Sequence, residues 1–334
     1  MSSNVSQAKP QQNLRVQQWV AVISVFLLLV KIIAYYLTNS VAILTDALES
    51  IVNVAAGFIG LYSLYIAAKP ADQDHPYGHG KAEFISAAIE GTLIVTAGAL
   101  IIYKAVKAFF YPEVLSSVDT GILLVALTAV INFIIGQYCI RVGERNQSLA
   151  LVASGRHLQT DTLSTLGIIA GLVVVYFTNW IWLDSAVALF FGILILYTGY
   201  TILMKSVAGI MDKADLLLLN RMVELLNINR RPNWIDLHNL RIIKYGSILH
   251  LDCHLTLPWY LNVHEAHVEI DQLASLVRTE FGESLELFVH SDGCLPFSCQ
   301  ICTKEDCQER KKVFEKKVTW TLDNILTDQK HKIT

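Results

Sequence analysis

The sequence predicts a membrane all-α bundle of six helices followed by a C-terminal cytosolic α+β domain, and three observations carry that prediction. The chain of 334 residues is 53% hydrophobic and only 16% charged, with a mean hydropathy of +0.45, which is too apolar for a soluble chain of this length. The apolar residues concentrate before Gly209, whereas the remainder has ordinary soluble composition and holds most of the histidines and cysteines. Within the apolar half, the lysines and arginines of the short connections fall mainly on one side of the runs they join, the asymmetry that sets orientation in a bilayer.

Taken in chain order, residues 1–16 (MSSNVSQAKPQQNLRV) are polar and lack the apolar core and small-residue cleavage site of a signal peptide. They read as a cytosolic N-terminal tail. Residues 17–209 hold the membrane domain. A spanning helix needs about 20 apolar residues, and six runs meet that length: Gln17 to Leu37, Ala42 to Ala67, Phe84 to Ala108, Gly121 to Ile140, Ser148 to Phe177 and Ile181 to Ala208. Lys9, Arg15, Lys69, Lys81, Arg141, Arg145, Lys205 and Lys213 fall on one side, against Lys104 and Lys107 on the other, so both termini are expected in the cytosol.

Ionisable groups inside hydrocarbon cost a few kcal/mol each and need a bundle interior, a partner or a water-filled cavity. Here they cluster in two spans. In the second, Asp46, Glu49 and Asn53 fall at offsets of 0, 3 and 7, one face of a helix. In the fifth, His157 and Asp161 stand at i and i+4, again one face. If the stripes converge, Glu49, Asn53, His157 and Asp161 supply the four donors that a tetrahedral divalent cation takes. The bland alternative is that they are interhelical hydrogen-bonding glue, a role that rarely calls for two carboxylates and a histidine. Lys31, deep in the first span, has Glu90 of the third as a candidate partner, with snorkelling as the alternative.

Between the second and third spans, KPADQDHPYGHGKAE crowds Asp72, Asp74, His75 and His79 into a turn held by Pro76, Gly78 and Gly80. This is a candidate second metal site or a solvated capping loop. Residues 210–293 read as an αββαβ open-faced sandwich of ferredoxin-like type: a helix at Asp215 to Asn227, strands at Leu237 to Lys244 and Ile248 to Leu257, a helix at Val263 to Phe281 and a strand at Leu285 to His290. In the second strand, apolar Leu249 to Leu257 alternate with His250, Asp252, His254 and Thr256, so one face is polar. The last stretch, 294–334, opens with Cys294, Cys299, Cys302 and Cys307 in C-x4-C-x2-C-x4-C spacing. In a reducing cytosol these point to a tail metal site of thiolates rather than to disulfides. Cys139 and Cys253 read as packing residues, and Arg310 to Thr334 as a short amphipathic helix with a frayed end.

The HxxxD on the fifth of six spans, the polar quartet on the second and the loop HPYGHGKAE together resemble the cation diffusion facilitator family, in particular its bacterial zinc and iron exporters. The similarity runs from about Leu14 to Asp292. The resemblance implies a transport site at Glu49, Asn53, His157 and Asp161, and a loop site at Asp72, His75 and His79. It further implies a cytosolic site at His238, His254, His267, His290 and Asp292, and a dimer salt bridge from Lys81 to Asp212. It implies a homodimer in a bacterial inner membrane that exchanges a divalent metal ion for protons, with no organic cofactor and no enzymatic activity. The chain departs from the family pattern where Glu49 and Asn53 stand in place of the usual Asp or His and the following Asp. A neutral amide lowers the charge of the site and hardens it, so iron(II), manganese, cobalt and cadmium stand beside zinc, the leading expectation; Asp46 can lend a compensating carboxylate.

Other functions fare worse. A net charge of -3 without a basic, aromatic-rich stripe argues against nucleic acid. An intramembrane hydrolase would want HExxH on a span, which is absent. A membrane-anchored metal sensor or storage protein is the remaining rival, but an anchor has no need of Glu49, Asn53, His157 and Asp161 inside its spans.

Overall fold

The computed structural model describes residues 3–67, 69–111, 116–146, 149–245, 248–282 and 285–333. Ser148, the expected start of the fifth span, lies outside them, as do Met1, Ser2 and Thr334 at the ends of the expected tails. Six long helices come first: α1 (Ser3–Thr38), α2 (Val41–Ala67), α3 (Ala82–Phe110), α4 (Val118–Asn146), α5 (Leu149–Thr178) and α6 (Trp182–Ile210). Each is long and apolar enough to cross a membrane. The polar segment expected as a tail is helical from Ser3 and continuous with the first span.

Hydrocarbon gives apolar helices no hydrophobic reason to associate, so small residues that let backbones touch do much of the packing. A Cβ added at Gly91 or Gly98 of α3 would stand 2.8 Å from the Leu203 amide nitrogen or 2.9 Å from that of Leu196 on α6, and one at Gly155 of α5 would meet the Gly136 carbonyl of α4 at 2.6 Å. Large side chains such as Leu123, Leu163 and Phe177 face outward, as lipid contact requires. One buried carboxylate is structural. Asp184, in the first turn of α6, accepts hydrogen bonds from the Ser40 hydroxyl (2.6 Å) and from the amides of Val41 (2.8 Å) and Ala42 (3.4 Å), so a remote side chain caps the N-terminus of α2.

The chain divides into two compact units, the second comprising Leu64–Phe84 and Val207–Thr334. In it follow α7 (Leu216–Ile228), β1 (Asp236–Tyr245), β2 (Ile248–Leu257), α8 (Val263–Phe281), β3 (Glu286–Gly293), a 3-10 turn (Pro296–Gln300) and α9 (Leu322–Ile325). Asp215 caps α7 and an Asn262/Glu265 capping box opens α8. The sheet has the order β1-β2-β3, with β1 and β2 antiparallel and β2 and β3 parallel. Leu251, Cys253 and Leu255 share a core with Leu219, Met222 and Val223 of α7 and Leu273 and Val277 of α8, so both helices cover one face of the sheet. Cys253 is the packing residue its position suggested, and burial pushes its thiol up to about 12.

The C-terminal segment is neither frayed nor an appendage. Trp320 and Ile325 lie in the same core as the sheet. Asn227 exchanges hydrogen bonds with the Trp320 backbone at 2.7 and 3.1 Å. Arg230 stacks 4.1 Å from the Trp320 ring and donates to the carbonyls of Val318, Trp234 and Ile235. Burial of that guanidinium lowers its pKa to about 10. The expected amphipathic helix shrinks to the single turn of α9, because the apolar residues of the segment are spent on separate docking points along an extended chain.

Candidate functional site

In the membrane unit, a cavity opens among α1, α2, α4 and α5, its polar lining including Lys31, Ser50, Asn53, Asn132, His157 and Asp161. Helical periodicity put Asn53 on one face of α2 and the His157/Asp161 pair on one face of α5, and the fold turns those faces to each other. The Asn53 amide donates to Asp161 Oδ2 at 3.1 Å, and His157 Nε2 lies 3.9 Å from the same oxygen. Glu49, one turn before Asn53, is partly buried but is not among the residues lining the cavity.

Lys31 has a partner, and it is not Glu90. Its Nζ lies 2.9 Å from Asp46 Oδ1 and donates to Ser50 Oγ at 2.9 Å; Thr165 Oγ1 of α5 donates to the same Asp46 oxygen at 2.9 Å. Both charged side chains are 2% exposed. Asp46 sits on α2 at the level of Lys31 and Thr165, so its Oδ1 serves the lysine, while its buried Oδ2 makes no hydrogen bond among the described residues and is left for the ligand role expected of it.

Asp72, His75 and His79 gather their ligand atoms within 4.8 Å of one another. The turn that does this is held by the Gly78 and Asp72 amides, both donating to the His75 carbonyl, with Gly78 at φ +81. His75 Nδ1 and His79 Nε2 lie 3.2 and 3.4 Å from opposite oxygens of Asp72. The His75 backbone amide, donating at 2.7 Å, holds the Asp72 carboxyl below its ordinary value. Lys81 and Asp212, the pair expected to bridge, meet within the chain at 2.9 Å. The left-handed turn at Asp212 (φ +55) directly after α6 brings its carboxylate back to Lys81.

On the sheet, strand register does what spacing alone left open. His238 of β1 pairs with His254 of β2, which pairs with His290 of β3, so three histidines form one row across the face away from the helices. Their rings stand 5.1 and 4.7 Å apart. Asp292, two residues beyond His290 on the same face, lies 3.5, 3.8 and 3.7 Å from His238, His254 and His290. Burial pulls the His238 pKa down, favouring the neutral ring that ligates metal. Neutral imidazoles beside a carboxylate are a fitting donor set for a divalent transition metal, and the buried Nδ1 of His238 makes no hydrogen bond among the described residues. His267 does not join them: it is exposed on α8, 3.7 Å from Asp271, and α8 packs on the opposite face. One neighbour was missed. Asp328 brings its carboxylate within 4.8 Å of the ligand nitrogens of His238 and His254; 36 residues beyond Asp292 in sequence, it gave no local signal.

Cys294, Cys299, Cys302 and Cys307 line one cavity beside Trp259, Tyr260 and Arg310. All four are free thiols. The Arg310 guanidinium organises the loop through the carbonyls of Cys299, Cys302 and Lys304, and the Lys311 amide donates to Cys299 Sγ at 3.4 Å. Burial raises the pKa of Cys294 and Cys302. The four sulfurs share a cavity without reaching the mutual 4.8 Å spacing of the two His/Asp groups.

Comparison with known proteins bears on the first three of these places. Residues 18–211 match a model of the cation efflux transmembrane domain, and residues 221–294 match one of the cation efflux protein cytoplasmic domain, a dimerisation domain. An uncharacterised transporter of Synechocystis is 31% identical over 255 residues, which cover 76% of this chain and 81% of that one. The cation-efflux pump FieF of Escherichia fergusonii is 28% identical over 269 residues, 80% of this chain and 88% of the relative. That of Escherichia coli K12 is 27% identical over the same length. The residues matched to the cytoplasmic domain stop at 294, so the cysteine loop and Asp328 lie beyond them.

Proposed function

Because the chain belongs to the cation efflux family, we propose that it exports a divalent transition-metal ion from the cytosol in exchange for protons, through the cavity of the membrane unit. Its membrane helices and family make it an integral membrane transporter of metal cations rather than an enzyme. The observation that carries the finer reading is the meeting of His157, Asp161 and Asn53 across α2 and α5, with their polar atoms 3.1 to 3.9 Å apart in a cavity.

A histidine must be unprotonated to ligate metal, so loading releases a proton and proton return expels the ion. Rocking of the bundle would present the site to each side in turn, with the proton gradient as the drive. Glu49 enters the ligand set by a side-chain turn toward the cavity. Zinc is the leading substrate, with iron(II), manganese, cobalt and cadmium admitted by the neutral Asn53. Both termini and the His/Asp row lie in the cytosol of a cell whose inner membrane holds the dimer. The loop group and the histidine row bind the same class of ion on the way to the cavity or in control of it. The four thiols form a separate site for a soft divalent metal, a reading supported by their common cavity and by the Arg310 clamp.

The test is transport by purified protein in proteoliposomes with an imposed pH gradient. The wild type accumulates radioactive zinc, and His157→Ala abolishes both the uptake and the metal-dependent proton flux while the dimer stays folded. A sensor or storage protein would bind the ion and accumulate none.

A further inference from the structure

The C-terminal segment reaches the histidine row by a device built into β1. The register of β1 against β2 slips between His238 and Arg241, and Asn239 sits in the left-handed region at φ +52, which asparagine tolerates better than most residues. The slip frees the Asn239 amide from the ladder, and that amide donates to the Thr327 carbonyl at 2.9 Å. From this anchor, Asp328 places Oδ1 3.7 Å from His254 Nδ1. Lys330 donates to the Gly293 carbonyl at 3.0 Å and holds its ammonium 3.4 Å from Asp292 Oδ1. His331 closes the segment, its amide donating to the buried carboxylate of Asp236 at 2.8 Å. Three successive ties over five residues are more than a loose chain end would make.

We propose that residues 327–331 form a strap that completes the cytosolic metal site within one chain. Asp328 is a metal ligand beside His238 and His254, and Lys330 is a tethered cation that holds Asp292 until the metal takes its place. The charges require the exchange: a divalent ion bound by Asp292 and an ammonium 3.4 Å from that carboxylate repel each other, so loading moves the Lys330 side chain off the site while Asp328 is drawn in. The strap lies outside the residues matched to the family's cytoplasmic domain. It rests on the reading that the histidine row binds metal, and the variants below separate the two.

The experiment uses the full-length protein in detergent with the other sites silenced by Asp161→Asn in the membrane cavity, Asp72→Asn in the loop and Cys299→Ser with Cys307→Ser in the thiol loop, titrated with zinc by calorimetry and followed by hydrogen exchange of the peptide spanning the strap. Asp328→Asn, at a side chain 67% exposed, is expected to weaken zinc binding at the cytosolic site about tenfold, the loss typical of a disturbed ligand shell. It should also abolish the zinc-induced protection of the strap while leaving the metal-free melting temperature unchanged. Lys330→Gln should tighten the same binding. Unchanged zinc affinity in Asp328→Asn while His238→Ala loses it overturns the strap alone; unchanged affinity in both overturns the reading beneath it. A fall in affinity matched by a fall in the metal-free melting temperature makes Asp328 a structural residue and overturns its role as a ligand.

Discussion

The membrane cavity and the histidine row of the sheet hold the same kinds of side chain under opposite conditions. In the membrane unit the buried and half-buried charges have polar partners: Lys31 pairs with Asp46, Asp184 accepts from the amides that open α2, and Asp161 accepts from the Asn53 amide. On the sheet, three histidines stand ring against ring, with their closest carboxylate oxygens at 3.5 Å or more; His238 is buried, but His254 and His290 are open to solvent. Low dielectric explains the contrast, since an unpaired charge costs several kcal/mol in hydrocarbon and little at a protein surface. A cavity of this kind keeps few groups free and so binds its ion by rearranging existing partners. The row is free to bind with almost no rearrangement of its strands.

That contrast breaks most visibly at Asp46. Asp46→Asn leaves Lys31 buried without a counter-charge, a change expected to cost about 3–5 kcal/mol, read as a large fall in the unfolding temperature of the purified protein. The double variant Lys31→Met with Asp46→Leu should recover most of the loss. An Asp46→Asn protein that stays stable but stops transporting would instead make Asp46 a ligand, and the cavity would then resemble the row.

Asn53 sharpens the same point at the ligands themselves. Its amide can hydrogen bond to Asp161, whereas a second carboxylate 3.1 Å away would be repelled until a cation arrived. Asn53→Asp is therefore expected to raise dependence on a strongly bound divalent ion. It should shift the preference between zinc and manganese by about tenfold, which is about 1.4 kcal/mol. Competition transport among zinc, iron(II), manganese, cobalt and cadmium under anaerobic reducing conditions measures it, and an unchanged order removes Asn53 from the ligand set.

How legible each region was follows from which periodicity carries it. The stripes on α2 and α5 repeat at three and four residues, and the polar face of β2 repeats at two, so Asn53, His157, Asp161 and His254 could be assigned to faces from their spacing. Hydropathy located all six spans to within about six residues of the apolar stretches of the helices, although α1 itself begins well before its span, at Ser3. Partners across helices carry no such signal. Lys31 meets Asp46 rather than Glu90, and only the packing of α1 on α2 decides between them. The row itself depends on the pairing of three strands, and Asp328 on a bulge at Asn239 that nothing in the local sequence announces. The tail was misjudged for a related reason: Trp320 and Ile325 are too sparse to look like a core element, yet each fills a place in a core built by others. His267 is exposed on α8, which packs on the other face of the sheet, so a single chain leaves it away from the site that the family pattern implied.

The smallest expected effect falls on the row. His290 is 66% exposed and, among the described residues, meets Asp292 and the neighbouring His254 ring, so His290→Ala is expected to change the metal-free stability by no more than about 0.5 kcal/mol. The same substitution should shrink the rise in melting temperature that zinc produces, because a ligand that binds only the folded state stabilises in proportion to its affinity. Scanning calorimetry with and without zinc separates the two quantities. A large metal-free loss would mean that the histidines hold the sheet together, and the distinction between a committed cavity and a free row would fail. A small metal-free change with a diminished zinc effect leaves the histidines of the row available to their ion without cost to the sheet, whereas the polar groups of the membrane unit must first give up their partners.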